Sequence, residues 1–399
     1  MSNTPLQTSR MVQDLPPSGI REFFDLVIGM QDVISLGVGE PDFPTPWHIC
    51  DAAIAALREG KTSYTSNLGL LELRQAISQD LEQRYGVQYN PETQVVATVG
   101  VSAGLDLAMR AFVNPGDEVL VVEPCYVSYK PSIYLAGGTP VAVCTDEAHE
   151  FKLLPEALEA AITPRTRGLL IGYPSNPTGA TMSRSELAAI AEVCRQRGIF
   201  VFSDEIYAHL TYEGEHTCFA SLPGMADQCL VLNGFSKAYA MTGWRLGYAC
   251  GPAEMIEAMN RIHAYVALCA PIGAQVGAIE ALQHGEREMQ RMVDQYDQRR
   301  RLFVKGLNDL GLPCFMPRGA FYAFPRVGHL GLSSREFSHR LLFEQKVAAV
   351  PGDAFGECGV GYLRCTYATS LDNLKIALER LAVFVEGLQA GEEAVNSPS

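Results

Sequence analysis

No stretch of the chain holds the ~18 consecutive apolar residues that a membrane-crossing helix needs. The opening residues, MSNTPLQTSRMVQDLPPSG, contain no apolar core of a secretory signal. A cytoplasmic protein without a membrane partner is expected. Basic residues are scarce: 31 Lys and Arg stand against 45 Asp and Glu, a formal net charge of -14. Such a surface repels a polyphosphate backbone, so nucleic acid is excluded as a partner. None of the 11 cysteines falls in a CxxC pair. Their settings, such as Val143-Cys144-Thr145 and Ala249-Cys250-Gly251, read as buried strand positions, and reduced core cysteines are expected. The chain also lacks GxxxxGKS/T and HExxH, and its 8 histidines have no metal-ligand spacing. Nucleotide hydrolysis and a metal centre are therefore unsupported. Gly37-Val38-Gly39 resembles half of a dinucleotide fingerprint, but proline-rich sequence follows it in place of a helix.

What remains is a globular protein. With 47% hydrophobic and 19% charged residues in 399, there is material for large cores and too little charge for disorder. Short β-branched runs at 94–99, 118–122, 141–145, 168–172, 199–203 and 229–233 alternate with helix-period stretches such as 102–112 and 183–197. Ser183 with Glu186 three positions on forms a capping box, and Asn114-Pro115-Gly116-Asp117 is a turn. This predicts an α/β fold with helices covering both faces of a mostly parallel sheet. After Pro252 the pattern shifts to long helices, including 286–310, then a compact strand and helix alternation. The expected organisation is an N-terminal arm at 1–46 packing with a smaller α/β domain at 286–389. A large domain would span 47–285, and a disordered tail 390–399.

Ligands of open α/β sheets bind beyond the carboxyl ends of the strands. Four such places carry chemistry. Gly100 to Gly104 (GVSAG) opens a helix with amides that suit an anion. Tyr173 to Gly179 (YPSNPTG) holds up an amide side chain, and Asp204 ends a strand. Asn233 to Gly247 places Lys237 in small and apolar surroundings, with Arg245 eight positions on. Desolvation would lower the lysine's pKa and free its amine for attack on an aldehyde. An aldehyde cofactor with a pyridine nitrogen and a phosphate needs this set: an amine, a carboxylate, donors for a ring oxygen and a cationic anion site.

In order along the chain stand GEPDFPTP (39–46), YTSNLG (64–69), SNPTG (175–179), DEIY (204–207), Ser236-Lys237 through Arg245, and GYLR (361–364). With these segments the sequence resembles a class I/II aminotransferase of the pyridoxal 5′-phosphate (PLP) fold-type I group, over roughly residues 15 to 385. The resemblance implies a seven-stranded, mostly parallel sheet in a PLP-binding large domain, with both termini forming the small one. It implies that Lys237 is the Schiff-base lysine and proton shuttle, that Asp204 pairs with the pyridinium nitrogen, and that Asn176 and Tyr207 hydrogen-bond the ring oxygen. Tyr126 would stack on the ring. The phosphate would be held by the backbone near Val101, Ser102 and Ala103, by Ser236 and Arg245, and by Tyr64 from the second subunit of a homodimer. Arg364, with the Gly39 backbone, would clamp the substrate α-carboxylate. Gly234 stands where some members carry a phosphate-binding hydroxyl, and Ser236 is the expected substitute.

The implied activity is transamination between an L-amino acid and a 2-oxo acid. A β-lyase acting on cysteine conjugates is an alternative. A PLP-sensing regulator is disfavoured because residues 1–35 are too few and too proline-rich for a helix-turn-helix. Segment 263–275 (HAYVALCAPIGAQ), expected to line the pocket, has no Lys or Arg, and the expected gate at 15–20 (LPPSGI) is apolar, with Arg21 just beyond. A second substrate carboxylate is costly to bury without a cation. Neutral, apolar or aromatic donors with 2-oxoglutarate as acceptor are expected, with a broad aspartate-type enzyme as the alternative.

Overall fold

The computed structural model describes residues 7–15, 19 and 27–396, with side chains described as far as residue 390. After β1 (Ile34–Ser35), seven strands build the main sheet. They are β2 (Val95–Thr98), β3 (Glu118–Glu123), β4 (Thr139–Cys144), β5 (Thr166–Ile171), β6 (Phe200–Asp204), β7 (Cys229–Gly234) and β8 (Gly247–Cys250). Their order is β2-β8-β7-β6-β5-β3-β4, and only β8 runs antiparallel to its neighbours. The carboxyl ends of the other six therefore open on one edge. The seven-stranded α/β expectation holds; β8 had only its Ala249-Cys250-Gly251 signal.

Side chains alternate across this sheet as strand geometry dictates. Val95, Leu120, Leu169, Val201 and Val231 enter one core with Leu73, Ile77, Leu187 and Ile190 from the helices Leu71–Tyr85 and Arg184–Arg197. Val96, Val121, Leu170, Phe202 and Leu232 enter another with Leu105, Met109, Ile256 and Met259. Both faces are thus covered, which is why the strands read as continuous apolar runs. The Ser183 capping box forms: its side chain accepts from the Glu186 amide, and the Glu186 carboxylate accepts from the Ser183 amide at 2.7 Å.

A third core gathers Leu36, Tyr322, Val347, Leu363, Leu374 and Leu381. Here β9 (Tyr322–Ala323), β11 (Val350–Pro351) and β12 (Leu363–Thr366) form one small sheet, while β1 pairs in parallel with β10 (Val347–Ala348). Leu36 then bridges the two, donating to Ala348 O and accepting from the Thr366 amide. The N-terminal segment is woven into the C-terminal unit. We propose the division near residues 47 and 286 on this contrast of cores. It is not a clean cut, since Phe324, Val350 and Phe355 pack in the first core and Tyr207 and Leu210 in the third.

The last helix runs from Leu371 to Asn396. Its closing Glu-Glu-Ala stretch has good helix propensity and extends a helix already anchored by Leu374, Leu381 and Val385. Residues 397–399 lie outside the described part. Cys144 was placed in a buried strand position among reduced cysteines. It is instead exposed on the sheet's edge strand and disulfide-bonded to Cys358. The other nine cysteines are free, and seven of these are buried. Among the described residues, no helix is long and apolar enough to cross a membrane.

The joint between the main sheet and the third core turns on Gly179. Its carbonyl accepts from the amides of both Arg318 and Gly319, its φ is +72°, and a Cβ there would lie 2.4 Å from Pro317 Cβ. Both strain and overlap oppose any side chain. Gly179→Ala should destabilise the protein by about 3 kcal/mol. Denaturant midpoints would reveal this, and a loss below about 0.5 kcal/mol would contradict the crowding argument.

Candidate active site

The strand ends converge on a cavity of about 320 Å³ lined by Gly39, Val101, Ser102, Tyr126, Asn176, Asp204, Tyr207, Ser236, Lys237, Arg245 and Arg364, among others. Every residue proposed to contact a cofactor or substrate within one chain lies here except Ala103, which does not line it. Four pieces of backbone do the placing. β2 leads to Gly100, β5 to Asn176, β6 ends on Asp204, and β7 leads to Ser236 and Lys237. The C-terminal unit contributes Tyr322 and Arg364 from β9 and β12.

Lys237 and Asp204 respond in opposite senses to one cause. Burial disfavours the lysine's charge, the Arg364 guanidinium adds to this, and the ammonium pKa drops to about 8. Burial likewise raises the Asp204 carboxyl to about 6, against hydrogen bonds from Tyr129 Oη at 2.7 Å and the Ile206 amide at 3.2 Å. The lysine Nζ donates to Gly39 O at 2.6 Å. Its amine is thus held by a neutral carbonyl, and among the described residues it has no direct carboxylate partner that would keep it charged.

Tyr207 Oη lies 2.7 Å from Tyr322 Oη, and burial pushes the Tyr207 phenol well above its ordinary pKa. Arg364, 3% exposed, donates from Nη1 to Asn176 Oδ1 at 3.0 Å and from Nη2 to Gly37 O, while its buried Nε has no partner among the described residues. A buried guanidinium with a donor to spare suits a carboxylate. Its planes are stacked on by Tyr322 and Phe355, with centroids 4.6 and 4.8 Å from Cζ.

Across the cavity, Gly100 has φ +77°, and a Cβ there would lie 2.7 Å from Arg245 Nη2. The glycine lets the guanidinium lie against the start of the helix Gly100–Phe112, where amides and cation together suit an anion. Arg245 itself has φ +54° and is fixed by Nη1 donating to Thr242 O. At Gly234 a Cβ would lie 2.9 Å from Gly247 Cα and 3.0 Å from Leu246 O, so no hydroxyl side chain fits there.

One amine, one buried acid, paired phenols and a guanidinium beside helix-start amides match the chemistry of an aldehyde-bearing pyridine phosphate. The residues fit PLP.

Some expectations are not met within the chain. No residue of segment 263–275 lines the cavity. His263 and Gln275 instead brace the chain by bonding Asn67 O and the Leu70 amide, while Tyr265 is 93% exposed. Tyr64, expected to serve the site of a second subunit, is 82% exposed and does not line this chain's own cavity. Of the apolar gate only Leu15 and Gly19 are described, and Arg21 lies outside the described residues. Two site residues were missed. Tyr129 carried a signal, lying three positions after Tyr126 on the same turn of chain, whereas Tyr322 comes from a β9 only two residues long.

The sequence profile described as "Aminotransferase class I and II" matches residues 31–381. The Bacillus subtilis protein YugH is 50% identical over 377 residues, 94% of this chain and 98% of its own length. The aromatic-amino-acid aminotransferase 2 of Thermococcus litoralis is 43% identical over 368 residues, covering 92% and 95%. A solved aspartate aminotransferase of Thermus thermophilus with maleate superposes with a TM-score of 0.91 at 38% identity, covering 95% of this chain and 99% of that one.

The depressed lysine has a consequence for ligand-free protein. Its unfolded pKa is near 10.5 and its folded pKa about 8, so between these values the unfolded chain binds more protons and stability rises with pH. Urea midpoints of ligand-free protein should climb across this window relative to Lys237→Met, in which that contribution is absent. Parallel pH profiles for the two proteins would contradict a desolvated Lys237.

Proposed function

Since the chain belongs to the class I and II aminotransferases and is a PLP-dependent enzyme, we propose that it moves the amino group between a neutral, apolar or aromatic L-amino acid and a 2-oxo acid such as 2-oxoglutarate. When bound, PLP supplies an aldehyde that condenses with amines and a protonated ring that takes up the electron pair released at the substrate Cα. The chain's own groups divide the remaining work. Lys237 would offer the amine that holds the aldehyde and would carry a proton to and from the substrate Cα. Asp204, oriented by Tyr129, would hold the ring nitrogen and favour its protonation. Asn176 and Tyr207 would donate to the ring oxygen, with Tyr322 holding the Tyr207 hydroxyl in place. Arg245, Ser236 and the amides at Val101 and Ser102 would hold the phosphate, Tyr126 would cover the ring, and Arg364 would take the α-carboxylate.

The observation that supports the donor class is the cation count. Among the described residues, Lys237, Arg245 and Arg364 are the only Lys or Arg side chains lining the cavity, and each has a proposed task in binding amine, phosphate or α-carboxylate. A side-chain carboxylate would meet no further cation among the described residues, and burying it unpaired would cost several kcal/mol. A second reading, a broad aspartate-type enzyme, is favoured by the name of the Thermus neighbour; it requires a cation from outside the described chain. With 2-oxoglutarate as acceptor, kcat/KM for leucine, methionine and phenylalanine should exceed that for aspartate. An advantage of tenfold or more for aspartate, about 1.4 kcal/mol in transition-state binding, would overturn this choice.

We further propose a homodimer with shared sites. It is supported by the exposed aromatic and apolar side chains of Trp47, Leu57, Tyr64, Tyr265, Val266 and Leu268, which a partner subunit would cover. Beside them lies an open groove lined by Ile54, Trp244 and Pro271. Sedimentation should show a dimer, and Tyr64→Phe should weaken PLP retention in it. A fully active monomer would contradict both.

A further inference from the structure

β3 and β4 end side by side, with Glu123 opposite Cys144. Over these ends passes the loop 352–361, which leads into β12 and Arg364. Three contacts dock it. The Cys125 amide donates to Phe355 O at 2.9 Å. Gly356, at φ +116°, crosses so close to Glu123 that a Cβ would lie 2.3 Å from its Oε2. Cys358 is bonded to Cys144 across a Cα–Cα distance of 5.8 Å, well within the range a disulfide spans. The buried Glu123 is neutralised by Lys130 and lies 3.4 Å from the Cys358 sulfur. Cys144 is exposed, so soluble thiols and disulfides can reach the pair.

We propose that Cys144 and Cys358 form a reversible redox-modification site whose substrate is a low-molecular-weight thiol or disulfide, and that the bond sets how firmly the carboxylate clamp is held. In the oxidising direction the Cys144 thiolate attacks a small disulfide RSSR, forming the mixed disulfide and releasing one RS⁻. The Cys358 thiolate then displaces the second RS⁻ from Cys144. Two electrons and two protons leave the protein as two RSH, and excess thiol reverses both steps. The loop that the bond ties down carries Phe355, on which the Arg364 guanidinium rests. Opening the bond removes the covalent tether between this loop and β4, leaving the Cys125–Phe355 hydrogen bond, the burial of Phe355 and the Arg335–Asp353 ion pair to hold it, so the platform loosens and substrate carboxylate binding loses preorganisation. This kinetic consequence rests on the assignment of Arg364 above; the redox chemistry does not.

Holoenzyme exposed to glutathione disulfide should show nine thiols after denaturation and 11 after reduction. The missing pair should map to a joined peptide containing Cys144 and Cys358. Dithiothreitol should lower Tm in the wild type and leave it unchanged in Cys144→Ser and Cys358→Ser. It should also raise KM for the amino acid roughly threefold, with kcat little altered. Eleven thiols without reduction, an equal Tm loss in the serine variants, or tight zinc binding by the reduced Glu123, Cys144 and Cys358 set would overturn the redox site. A KM indifferent to the bond would overturn the coupling to Arg364. Neither readout by thiol count nor by Tm requires turnover, so failure of the redox site and failure of the functional assignment are distinguishable.

Discussion

Keeping one amine away from water is the condition on which the cavity depends. Lys237 follows β7 into a space where its charge is disfavoured by burial and by Arg364, and where its hydrogen bond goes to the Gly39 carbonyl. On the neighbouring strand β6 the same lack of water raises the Asp204 carboxyl. An ammonium made more acidic and a carboxyl made less acidic both move toward the range in which proton transfer is easy near neutrality. In both shifts burial is the largest cause. Both follow from parallel strands ending at one edge, with helices and a second unit excluding solvent around them.

The second unit supplies what the sheet cannot. The segment from Ile34 leaves its pairing with β10, passes Leu36 between two small strands, and presents Gly37 O to Arg364 and Gly39 O to Lys237. The carbonyls that fix the clamp and the amine therefore lie two residues apart on one chain. Gly39 has to be a glycine here, because a Cβ would lie 2.3 Å from Tyr322 Oη. In the half fingerprint Gly37-Val38-Gly39, Gly39 thus owes its place to a crowding Tyr322 side chain and not to a dinucleotide.

The sequence announced those features whose causes are local. Strand runs bounded by turns, the Ser183 box and residues immediately after strands were legible, because apolar alternation and capping chemistry act over a few positions. What was not legible depends on distant partners. Tyr322 meets Tyr207 across 115 positions, and Cys144 meets Cys358 across 214. The β-branched setting of Cys144 read as core because an edge strand and a central strand share the same composition, and only the sheet order tells them apart. Segment 263–275 failed for a related reason. Its apolar residues suit a pocket wall, yet the helix Ala253–Val266 spends its buried face on Met255, Ile256 and Met259 and leaves Tyr265 and Val266 pointing away.

On the proposed roles, the groups for proton transfer and the group for the carboxylate are carried by different cores. Asp204 ends β6 and Lys237 follows three residues after the adjacent β7, the two strands being paired in register from Val201–Cys229 to Asp204–Leu232. Arg364 reaches the same cavity from β12, across a joint made by the Gly179 carbonyl, the Asn176 side chain and the loop at Phe355. Movement at that joint shifts the clamp relative to the amine while leaving the amine and acid in place. If Arg364 and Lys237 have the proposed roles, changes at the joint would act first on how a carboxylate is bound and changes at β6 and β7 on proton transfer, so the proposed disulfide at the exposed edge of β4 would bear on substrate recognition without touching the reacting atoms.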